Sequence, residues 1–520
     1  DDKVIPVEFA HVKSGRVSRG HRFLCKEPVT IEKPEDYKET MRKAFVIVDQ
    51  DERRDMIKKG LLETAEKLGG HVWHNADLLE EINYLVEYPT PLYGRIDDEF
   101  LKLPVPAVVT PMRDHQRYYP VRKEDGSLMP YFLTVRNGGT KALENVQHGN
   151  EKVLRARLDD AKFFFENDRK KTLEGHRDDL TRINYQEGLG DMRDKADRLQ
   201  KLTAFIGKDW HFSDEEMKDA DRAAFLSKSD LATGMVTEFT ELQGEMGKEY
   251  ALLDGEKPEV AQAIFEQYMP RFSGDILPKE SIGRALSLAD KLDNLSATFL
   301  RGLIPTGSQD PFALRRQTIG AVNILTDGKI HWDIRRGIAK ALELLPGEQE
   351  VKDKVLSQVE DFFRQRIRAI LLDNGIAYDI IDAVLAGPVD DIYAIFLKAQ
   401  AMTESHLKEE ADLRQAVTRL ANITKGKTGG KVDPALFEED AEKNLEAALA
   451  KAMAAVEPLY REYHYADALP YLKELTAPIN DYLDNVMVMV KDEAVKNNRI
   501  SQLLKTLSFF DAWGDFSKLV

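Results

Sequence analysis

From Glu151 onward, apolar residues recur at the spacing of an amphipathic helix, and this pattern constrains the fold more than any other feature of the sequence. The two clearest stripes are Leu154, Leu158, Ala161 and Phe165, and Ala285, Leu288, Leu292, Leu295 and Phe299. Apolar residues at this spacing cover one helix face, which must be buried against other elements. The same spacing predicts helix over Ile479–Leu507. We therefore expect a mainly helical body.

Residues 1 to about 150 follow a different pattern, typical of mixed α and β structure. Short apolar runs bounded by turn residues predict strands at Ala44–Asp49, Val105–Thr110 and Tyr131–Arg136. Amphipathic patterns predict helices over Asp51–Leu68 and Leu78–Leu85. The expected fold class is α+β multidomain, with an N-terminal mixed α/β domain followed by mainly α-helical domains.

Net charge argues at first against a nucleic-acid partner. The 520 residues include 74 Lys and Arg against 90 Asp and Glu, a formal charge of −16, whereas affinity for phosphate comes mainly from Lys and Arg. The single cysteine, Cys25, excludes an intramolecular disulfide and a Cys-rich zinc site. No apolar run approaches the roughly 18–20 residues that cross a bilayer. We expect a cytoplasmic protein without a membrane partner.

Two glycine motifs resemble nucleotide-binding loops but do not satisfy their rules. Gly426-Lys-Thr428 has the end of a phosphate-binding loop, but Ala421 stands where that loop requires glycine. Gly188-Leu-Gly190 has Arg193 where the third glycine of a dinucleotide fingerprint belongs. Neither motif follows a predicted strand. We expect no nucleotide site at either loop and no catalytic residue on this chain.

The cations are unevenly distributed, and three stretches of the chain are locally basic. Residues 10–26 contain five cations and no carboxylate, residues 411–431 contain five cations and one carboxylate, and residues 111–123 interleave cations with His and Tyr rings. Cations bind phosphates and rings stack on unpaired bases, which is the combination that RNA binding requires. The alternative is a solvated charged face with half-buried tyrosines. The candidate contacts are Lys13, Arg16, Arg19, Arg22, Arg113, His115, Arg117, Tyr118, Arg414, Arg419, Lys425 and Lys427.

Several long strings resemble the beta subunit of the bacterial heterotetrameric glycyl-tRNA synthetase. They are spread in order along the chain and comprise Met112-Arg-Asp-His-Gln-Arg-Tyr-Tyr-Pro120, Gly149–Leu158 with Phe163–Phe165, Leu303–Arg316, Tyr482–Val490 and Asn497–Arg499. Members of that family carry a further N-terminal portion, which we expect this chain to lack. The resemblance places the adenylation site on a separate alpha subunit, and no adenylate-forming motif of either synthetase class is found here.

The resemblance implies four domains and a function. Residues 1–150 would form a tRNA-binding domain similar to a synthetase editing module, and residues 151–325 a degenerate HD-like helical domain. Residues 326–405 would form a helical linker or body, and residues 406–520 a helical anticodon-binding domain. The chain would bind tRNA(Gly) and orient it for ATP-dependent glycylation by the alpha subunit in an α2β2 assembly. ATP and Mg²⁺ would be used by the holoenzyme, with no cofactor bound by this chain.

The implied HD domain can be tested on its residues. An HD metal site needs a histidine, an adjacent His-Asp pair and a further aspartate. In residues 178–329 the only histidine is His211, and Asp230 is not preceded by one, although Asp290 is a candidate for the final aspartate. We therefore expect an inactive scaffold without metal, in which Asp230, Asp290 and Asp293 cap or pair helices. A metal phosphohydrolase and a non-catalytic RNA-binding scaffold remain the alternative functions.

Three further candidates follow from the C-terminal strings of the resemblance. Asn485, Asn498 and Arg499 have side chains suited to unstacked base edges and phosphates. For Asn498, helix capping or solvent exposure is an equal alternative. Arg414 and Arg419 lie on one predicted helix, where we expect them to follow phosphates.

Overall fold

The computed structural model describes residues 3–73, 75–405 and 410–519. The helices are α1 (Tyr37–Lys43), α2 (Gln50–Lys67), α3 (Ala76–Leu85), α4 (Val105–Thr110), α5 (Leu143–Asp168), α6 (Leu173–Arg177), α7 (Met192–Asp209), α8 (Asp214–Leu226), α9 (Gly234–Glu238), α10 (Glu245–Leu253), α11 (Pro258–Glu266), α12 (Ser281–Leu300), α13 (Leu314–Asp327), α14 (Ile334–Glu343), α15 (Gln349–Asp373), α16 (Tyr378–Val384), α17 (Ile392–Glu404), α18 (Ala411–Thr424), α19 (Asp440–Arg461), α20 (Tyr465–Glu474), α21 (Thr476–Asn485) and α22 (Glu493–Asp511). The strands are β1 (Glu8–Phe9), β2 (Val12–Lys13), β3 (Val17–Arg19), β4 (Pro28–Thr30), β5 (Pro89–Arg95), β6 (Tyr119–Arg122) and β7 (Leu128–Asn137). The expected α+β, mostly helical class is confirmed.

The chain divides into two compact units that alternate along the sequence. The first unit contains the described residues up to Leu180 together with Lys228–Glu256. The second unit contains Thr181–Ser227 and the described residues from Lys257 onward. The four domains implied by the resemblance remain a prediction, because the two compact units do not identify the fold or role of any domain.

A small antiparallel sheet and two helices form the main core of the first unit. The strand order is β5-β7-β6. Helices α2 and α3 pack with it around Ile57, Leu61, Ile82, Val121 and Leu133, all of which are buried. The predicted strand Tyr131–Arg136 lies within β7, and the predicted helices Asp51–Leu68 and Leu78–Leu85 correspond to α2 and α3, so these three predictions are confirmed.

Two predicted strands of the first unit are wrong. Val105–Thr110 is helix α4. Pro106 lies in its first turn, where a backbone N–H would have no helical partner, so the missing N–H of proline costs nothing there. Ala44–Asp49 is a turn at Ala44 and Phe45 followed by a loop that forms no strand. The Ile47 N–H donates to the Glu87 carbonyl (2.9 Å), and Arg53 Nη1 donates to the Ile47 carbonyl (2.6 Å). This buried backbone is thus satisfied by single partners instead of by a neighbouring strand.

Helix α12 is the central element of the second unit. It packs against α7, α8, α11, α13, α14 and α15. Its predicted apolar stripe is buried, as is most of the rest of its surface. A helix enclosed on all sides must find partners for its polar residues inside the protein. The carboxylates of Asp290 and Asp293 lie on this helix, and their partners are described below.

The C-terminal part of the second unit is a group of packed helices, α18 to α22. The predicted helix over Ile479–Leu507 is interrupted, since a non-helical segment from Val486 to Asp492 separates α21 from α22. Asp492 ends that segment by accepting hydrogen bonds from the N–H groups of Ala494 (2.9 Å) and Val495 (3.2 Å). The alternation of buried valines with exposed methionines before this cap is incompatible with a helical stripe.

Candidate nucleic-acid interface

The N-terminal candidates lie on two small hairpins, β1–β2 and β3–β4. Lys13, Arg19 and Arg22 are exposed, and no carboxylate of the described residues lies within ion-pair distance of them. Arg16 is half-buried and donates to the Glu32 carbonyl. Phe23 is 74% exposed beside the Arg22 guanidinium, which lies 5.6 Å from its ring centre. This surface presents cations and a ring to the solvent.

The second candidate group lies between α4 and β6, and most of its cations already have partners. Arg113 makes two hydrogen bonds to the Asp114 carboxylate, at 2.6 and 2.9 Å. The Arg117 Nε donates to Glu81 Oε1 at 2.8 Å. The His115 ring stacks on Phe239 with centroids 5.7 Å apart. Their charge and ring faces are therefore used, at least in part, within the first unit.

Tyr118 has a structural position in the same segment. Its ring is 5% exposed and stacks on Phe132 at a centroid distance of 4.6 Å. Phe132 in turn lies over Gly94, where an added Cβ would stand 2.2 Å from the ring, so glycine is required there. Burial raises the pKa of Tyr118 to about 12. A base cannot stack on this ring without displacing Phe132, so Tyr118 is not carried into the proposal below.

Arg414 and Arg419 lie on α18, as predicted, and both are held by neighbouring groups. The Arg419 guanidinium donates to Asn480 Oδ1 (3.2 Å) and to Asp484 Oδ1 (2.6 Å), which links α18 to α21. Arg414 Nη1 donates to the Leu519 carbonyl at 3.3 Å. The Arg419 charge is neutralised by its carboxylate partner, whereas no carboxylate of the described residues lies within ion-pair distance of Arg414.

The basic loop after α18 is the most accessible of the candidate groups. Lys425, Lys427 and Lys431 are exposed, and none of the described carboxylates is within ion-pair distance of their ammonium groups. The Gly430 N–H donates to Ser501 Oγ at 2.8 Å, which ties the loop to α22. The lysine ammonium groups of the loop therefore remain exposed to solvent, while the loop itself is tied to α22.

Asn498 and Arg499 lie inside the helical group, although the sequence made them candidates for RNA contact. The Asn498 side chain accepts from the Asp433 N–H (2.7 Å) and donates to the Asp433 carbonyl (3.0 Å). Arg499 is 3% exposed and pairs with Glu442 (3.1 Å) and Glu438 (3.0 Å). These polar atoms already have partners within the second unit, so both residues hold the fold. Asn485, by contrast, is exposed at the end of α21, where it bonds Asp481.

Arg499 also fixes a segment that sequence reasoning did not single out as a surface. Its Nη1 donates to the Met487 carbonyl at 3.1 Å. In the segment between α21 and α22, Met487 is 73% and Met489 53% exposed, while Val486 and Val488 are buried. The Val-Met-Val-Met alternation was the available signal, because a period of two in an extended segment sends alternate side chains to opposite sides.

The carboxylates of α12 form a buried ion cluster with α7. Lys195 Nζ lies 2.9 Å from Asp290 Oδ1 and 2.9 Å from Asp293 Oδ2, and Arg198 Nε lies 2.7 Å from Asp293 Oδ1. Burial alone would raise the pKa of Asp293, but Lys195 and Arg198 outweigh it and hold that pKa below its ordinary value. These contacts agree with the interpretation of Asp290 and Asp293 as helix-pairing groups.

This cluster does not fit the metal site that the HD resemblance implies. The Lys195 ammonium occupies the position between the two carboxylates, and no imidazole takes part. Asp230 belongs to the first unit, where its carboxylate accepts from the Gly244 N–H at 2.6 Å. Across the described residues, no group of three or more His, Cys, Asp and Glu side chains is arranged to hold a metal ion.

Comparison with known proteins decides the family. A family model described as glycyl-tRNA synthetase beta subunit matches residues 1–386, and one described as DALR anticodon binding domain matches residues 413–511. The glycine–tRNA ligase beta subunit of Clostridioides difficile is 43% identical over 521 residues, covering 100% of this chain and 75% of its own length. The corresponding subunit of Desulforamulus reducens is 43% identical over 523 residues, with the same coverage. The chain belongs to the glycyl-tRNA synthetase beta subunit family.

Membership in the glycyl-tRNA synthetase beta subunit family places the chain within an aminoacyl-tRNA synthetase, which is a ligase, and leaves the phosphohydrolase and scaffold alternatives without support. The basic loop and α18 to α22 coincide with the anticodon-binding match. The first unit and its hairpins lie within the beta subunit match. No helix among the described residues has the length and apolarity needed to cross a membrane.

Proposed function

We propose that this chain binds tRNA(Gly) and orients it for ATP-dependent glycylation by a separate alpha subunit. The observation that carries this function is the basic loop of Lys425, Lys427 and Lys431, whose exposed ammonium groups have no carboxylate partner in the described structure and which lies inside the anticodon-binding match. Unpaired ammonium groups gain most from a phosphate backbone, because no internal ion pair has to be broken to bind it.

The contribution of this chain to the reaction is positioning. Holding the tRNA by its backbone and anticodon loop fixes where the acceptor end lies relative to the alpha subunit. Fixing two reactants in this way lowers the entropic part of the barrier without any catalytic residue on the holding chain. The partner in this proposal is the alpha subunit in an α2β2 assembly, with ATP and Mg²⁺ used at the alpha subunit.

We assign domain roles as part of the same proposal. Residues 406–520 form the anticodon-binding domain, and residues 326–405 the linker or body. Residues 151–325 form a metal-free HD-like scaffold, for which the Lys195 cluster is the supporting observation. Residues 1–150 form a second tRNA-binding domain, supported by the exposed cations of its two hairpins.

The candidate contacts divide according to their surroundings. The contacts that we propose to be strongest are exposed and have no ion-pair partner in the described part of the chain: Lys13, Arg19, Arg22, Lys425 and Lys427. Arg16, Arg113, His115, Arg117, Arg414, Arg419 and Asn485 have internal partners and are proposed as weaker contacts. A phosphate must compete with those partners, which reduces the net gain.

A glycylation assay with each chain alone and with both together tests this function. Purified chain, purified alpha subunit, tRNA(Gly), ATP, Mg²⁺ and labelled glycine should give glycyl-tRNA only when both chains are present. The chain alone should bind tRNA(Gly) in a fluorescence anisotropy titration. Full-rate glycylation by the chain alone, or glycylation by the alpha subunit alone at the rate of the mixture, would contradict the proposed division of labour.

A further inference from the structure

The loop between α12 and α13, residues 301–313, is exposed but internally ordered. Asp310 accepts hydrogen bonds from the N–H groups of Leu314 (2.8 Å) and Arg315 (2.9 Å), which begins α13. Arg315 Nη2 donates to the Gly307 carbonyl at 2.6 Å. Gln317 Nε2 donates to the carbonyl of Phe312 at 3.0 Å. The loop is therefore held in one conformation by its own polar groups, while its surface stays open to solvent.

Two arginines lie on helices that pack against each other, and no carboxylate of the described residues is within ion-pair distance of either. Arg315 lies on α13 and Arg366 on α15, and these helices pack against each other. Burial lowers the pKa of Arg366, and the nearby positive charge of Arg315 lowers it further. The negative charge of Asp310 raises the pKa of Arg366 and so opposes these two effects, but the Asp310 carboxylate already caps α13. In the described structure neither arginine has a carboxylate within ion-pair distance.

The arginines on either side of Arg366 on the same helix both have carboxylate partners, unlike Arg366. Arg364 pairs with Glu360 at 3.2 Å, and Arg368 pairs with Asp382. Arg366 instead lies over the Phe362 ring, with 3.8 Å between the guanidinium carbon and the ring centre. The helix therefore neutralises the arginines on either side and leaves Arg366 without a carboxylate partner among the described residues, although its Nη1 donates to Gln365 Oε1 at 2.9 Å.

One exposed ring and two exposed aliphatic side chains lie close to Arg315 along the chain. Phe312 is 40% exposed just before α13, Leu303 is 48% exposed in the loop, and Ile319 is 38% exposed one turn after Arg315. A guanidinium pair recognises phosphate oxygens in a bidentate manner. An exposed ring beside it supplies a face on which an unpaired base can stack.

We propose that Arg315 and Arg366, with Phe312 at their edge, form an RNA-binding surface that takes a backbone phosphate and an adjacent unpaired base. The ligand class is single-stranded or end-frayed RNA, which within the proposed function means the tRNA itself. This surface is separate in sequence from the three basic stretches, and it rests on the proposed function of tRNA binding. Bound phosphate relieves the repulsion between the two guanidinium groups, because it places an anion between two like charges.

The test measures tRNA(Gly) affinity as a function of KCl concentration for the wild type and for the double variant Arg315→Gln/Arg366→Gln. Loss of two phosphate contacts should weaken binding and reduce the slope of log Kd against log salt by about 2. The matched control is Lys340→Gln/Lys354→Gln, which removes two cations paired with Glu343 and Glu350 in the same unit. That control should leave the slope unchanged. Thermal unfolding of both variants checks that they fold.

A third variant tests the stacking component separately. Phe312→Ala should weaken tRNA binding at least about fivefold with an unchanged salt slope, and Phe312→Tyr should retain wild-type affinity. A wild-type salt slope for Arg315→Gln/Arg366→Gln would overturn the proposed surface, whereas absence of tRNA binding by the wild type would overturn the proposed function itself. Normal tRNA binding by the double variant together with lost capture of the alpha subunit would show a protein-binding surface and overturn the RNA assignment.

Discussion

At the scale of single residues, charged side chains that a sequence marks as functional are here often part of the core. Lys195 and Arg499 are each 3% exposed at the side chain, and each is enclosed by carboxylates. A buried ion is tolerated only when partners replace the water it has lost. Removing one member of such a pair leaves the other uncompensated, so these residues should have large effects on stability and none on RNA contact.

Replacing Lys195 by methionine should lower the free energy of unfolding of the second unit by about 3–5 kcal/mol, because Asp290 and Asp293 then lose their shared partner. Urea unfolding followed by tryptophan fluorescence measures this, since Trp210 and Trp332 lie in that unit. The control is Lys201→Met on the exposed face of the same helix, which should change stability by less than about 0.5 kcal/mol. Equal effects of the two substitutions would contradict the role given to Lys195.

The Arg499–Glu442 pair should make stability depend on pH in a defined direction. Burial raises the pKa of Glu442, but the Arg499 guanidinium and two backbone N–H groups outweigh it and leave that pKa below its ordinary value. A carboxyl with a depressed folded-state pKa contributes stability above its unfolded pKa, about 4.3, and loses it as the pH falls further through the folded value.

The stability difference between wild type and Glu442→Gln should therefore be constant from pH 7 to about pH 5 and shrink below about pH 4.3. Unfolding followed through the buried Trp513 reports on this part of the chain. Glu457→Gln, at an exposed ion pair with Arg461, is the control and should give little difference at any pH. A difference that grows as the pH falls would show that the folded-state pKa of Glu442 is raised.

At the scale of elements, the sequence predicts most helices and only part of the sheet. Long amphipathic stripes identify α5 and α12 because many residues repeat one period. A six-residue apolar run such as Val105–Thr110 fits a buried strand or a buried helix equally well, and here the prolines and the surrounding core select the helix. Such short runs carry too few periods to decide, so their structure depends on tertiary packing.

The sequence predicts where basic residues cluster, but it does not predict which of their charges are already paired with carboxylates in the folded chain. Arg419 is neutralised by Asp484, and Arg117 by Glu81, across distances in sequence that no local pattern encodes. The Arg315 and Arg366 pair is missed for the same reason, since it requires the packing of α13 on α15. Whether a cation is free for RNA is a property of the folded neighbourhood.

The basic loop and helix α18 should therefore differ in their response to substitution. Lys425→Gln/Lys427→Gln should reduce the salt slope of tRNA(Gly) binding by about 2, because both ammonium groups are exposed and unpaired among the described residues. Arg419→Gln should leave the slope nearly unchanged, because its charge is already matched by Asp484. Anisotropy titrations at several salt concentrations measure both slopes. A larger slope change for Arg419→Gln would place the phosphate path on α18 instead of on the loop.

At the scale of the whole molecule, a formal charge of −16 has to be reconciled with a polyanionic ligand. Among the described residues, the cations with no carboxylate within ion-pair distance include those of the N-terminal hairpins, those of the basic loop, Arg315 and Arg366. Coulomb interactions beyond about 8–10 Å are largely screened at physiological salt, so local groups and not the total charge determine the attraction of each phosphate. The acidic remainder opposes RNA that does not meet these cations.

Control of binding by local cations and control by total charge predict opposite signs for the salt dependence of tRNA(Gly) binding. If the local cations control binding, Lys425, Lys427, Arg315 and Arg366 alone should give a slope of log Kd against log salt of about 3 to 4, and affinity for tRNA(Gly) should fall about 100-fold between about 50 and 200 mM KCl. If the total charge controlled binding, added salt would screen repulsion and affinity would rise. The variant with all four residues changed to glutamine should lose that part of the slope and keep the part due to the N-terminal hairpins. A flat or rising salt dependence of the wild type would show that phosphate contacts do not dominate its tRNA binding.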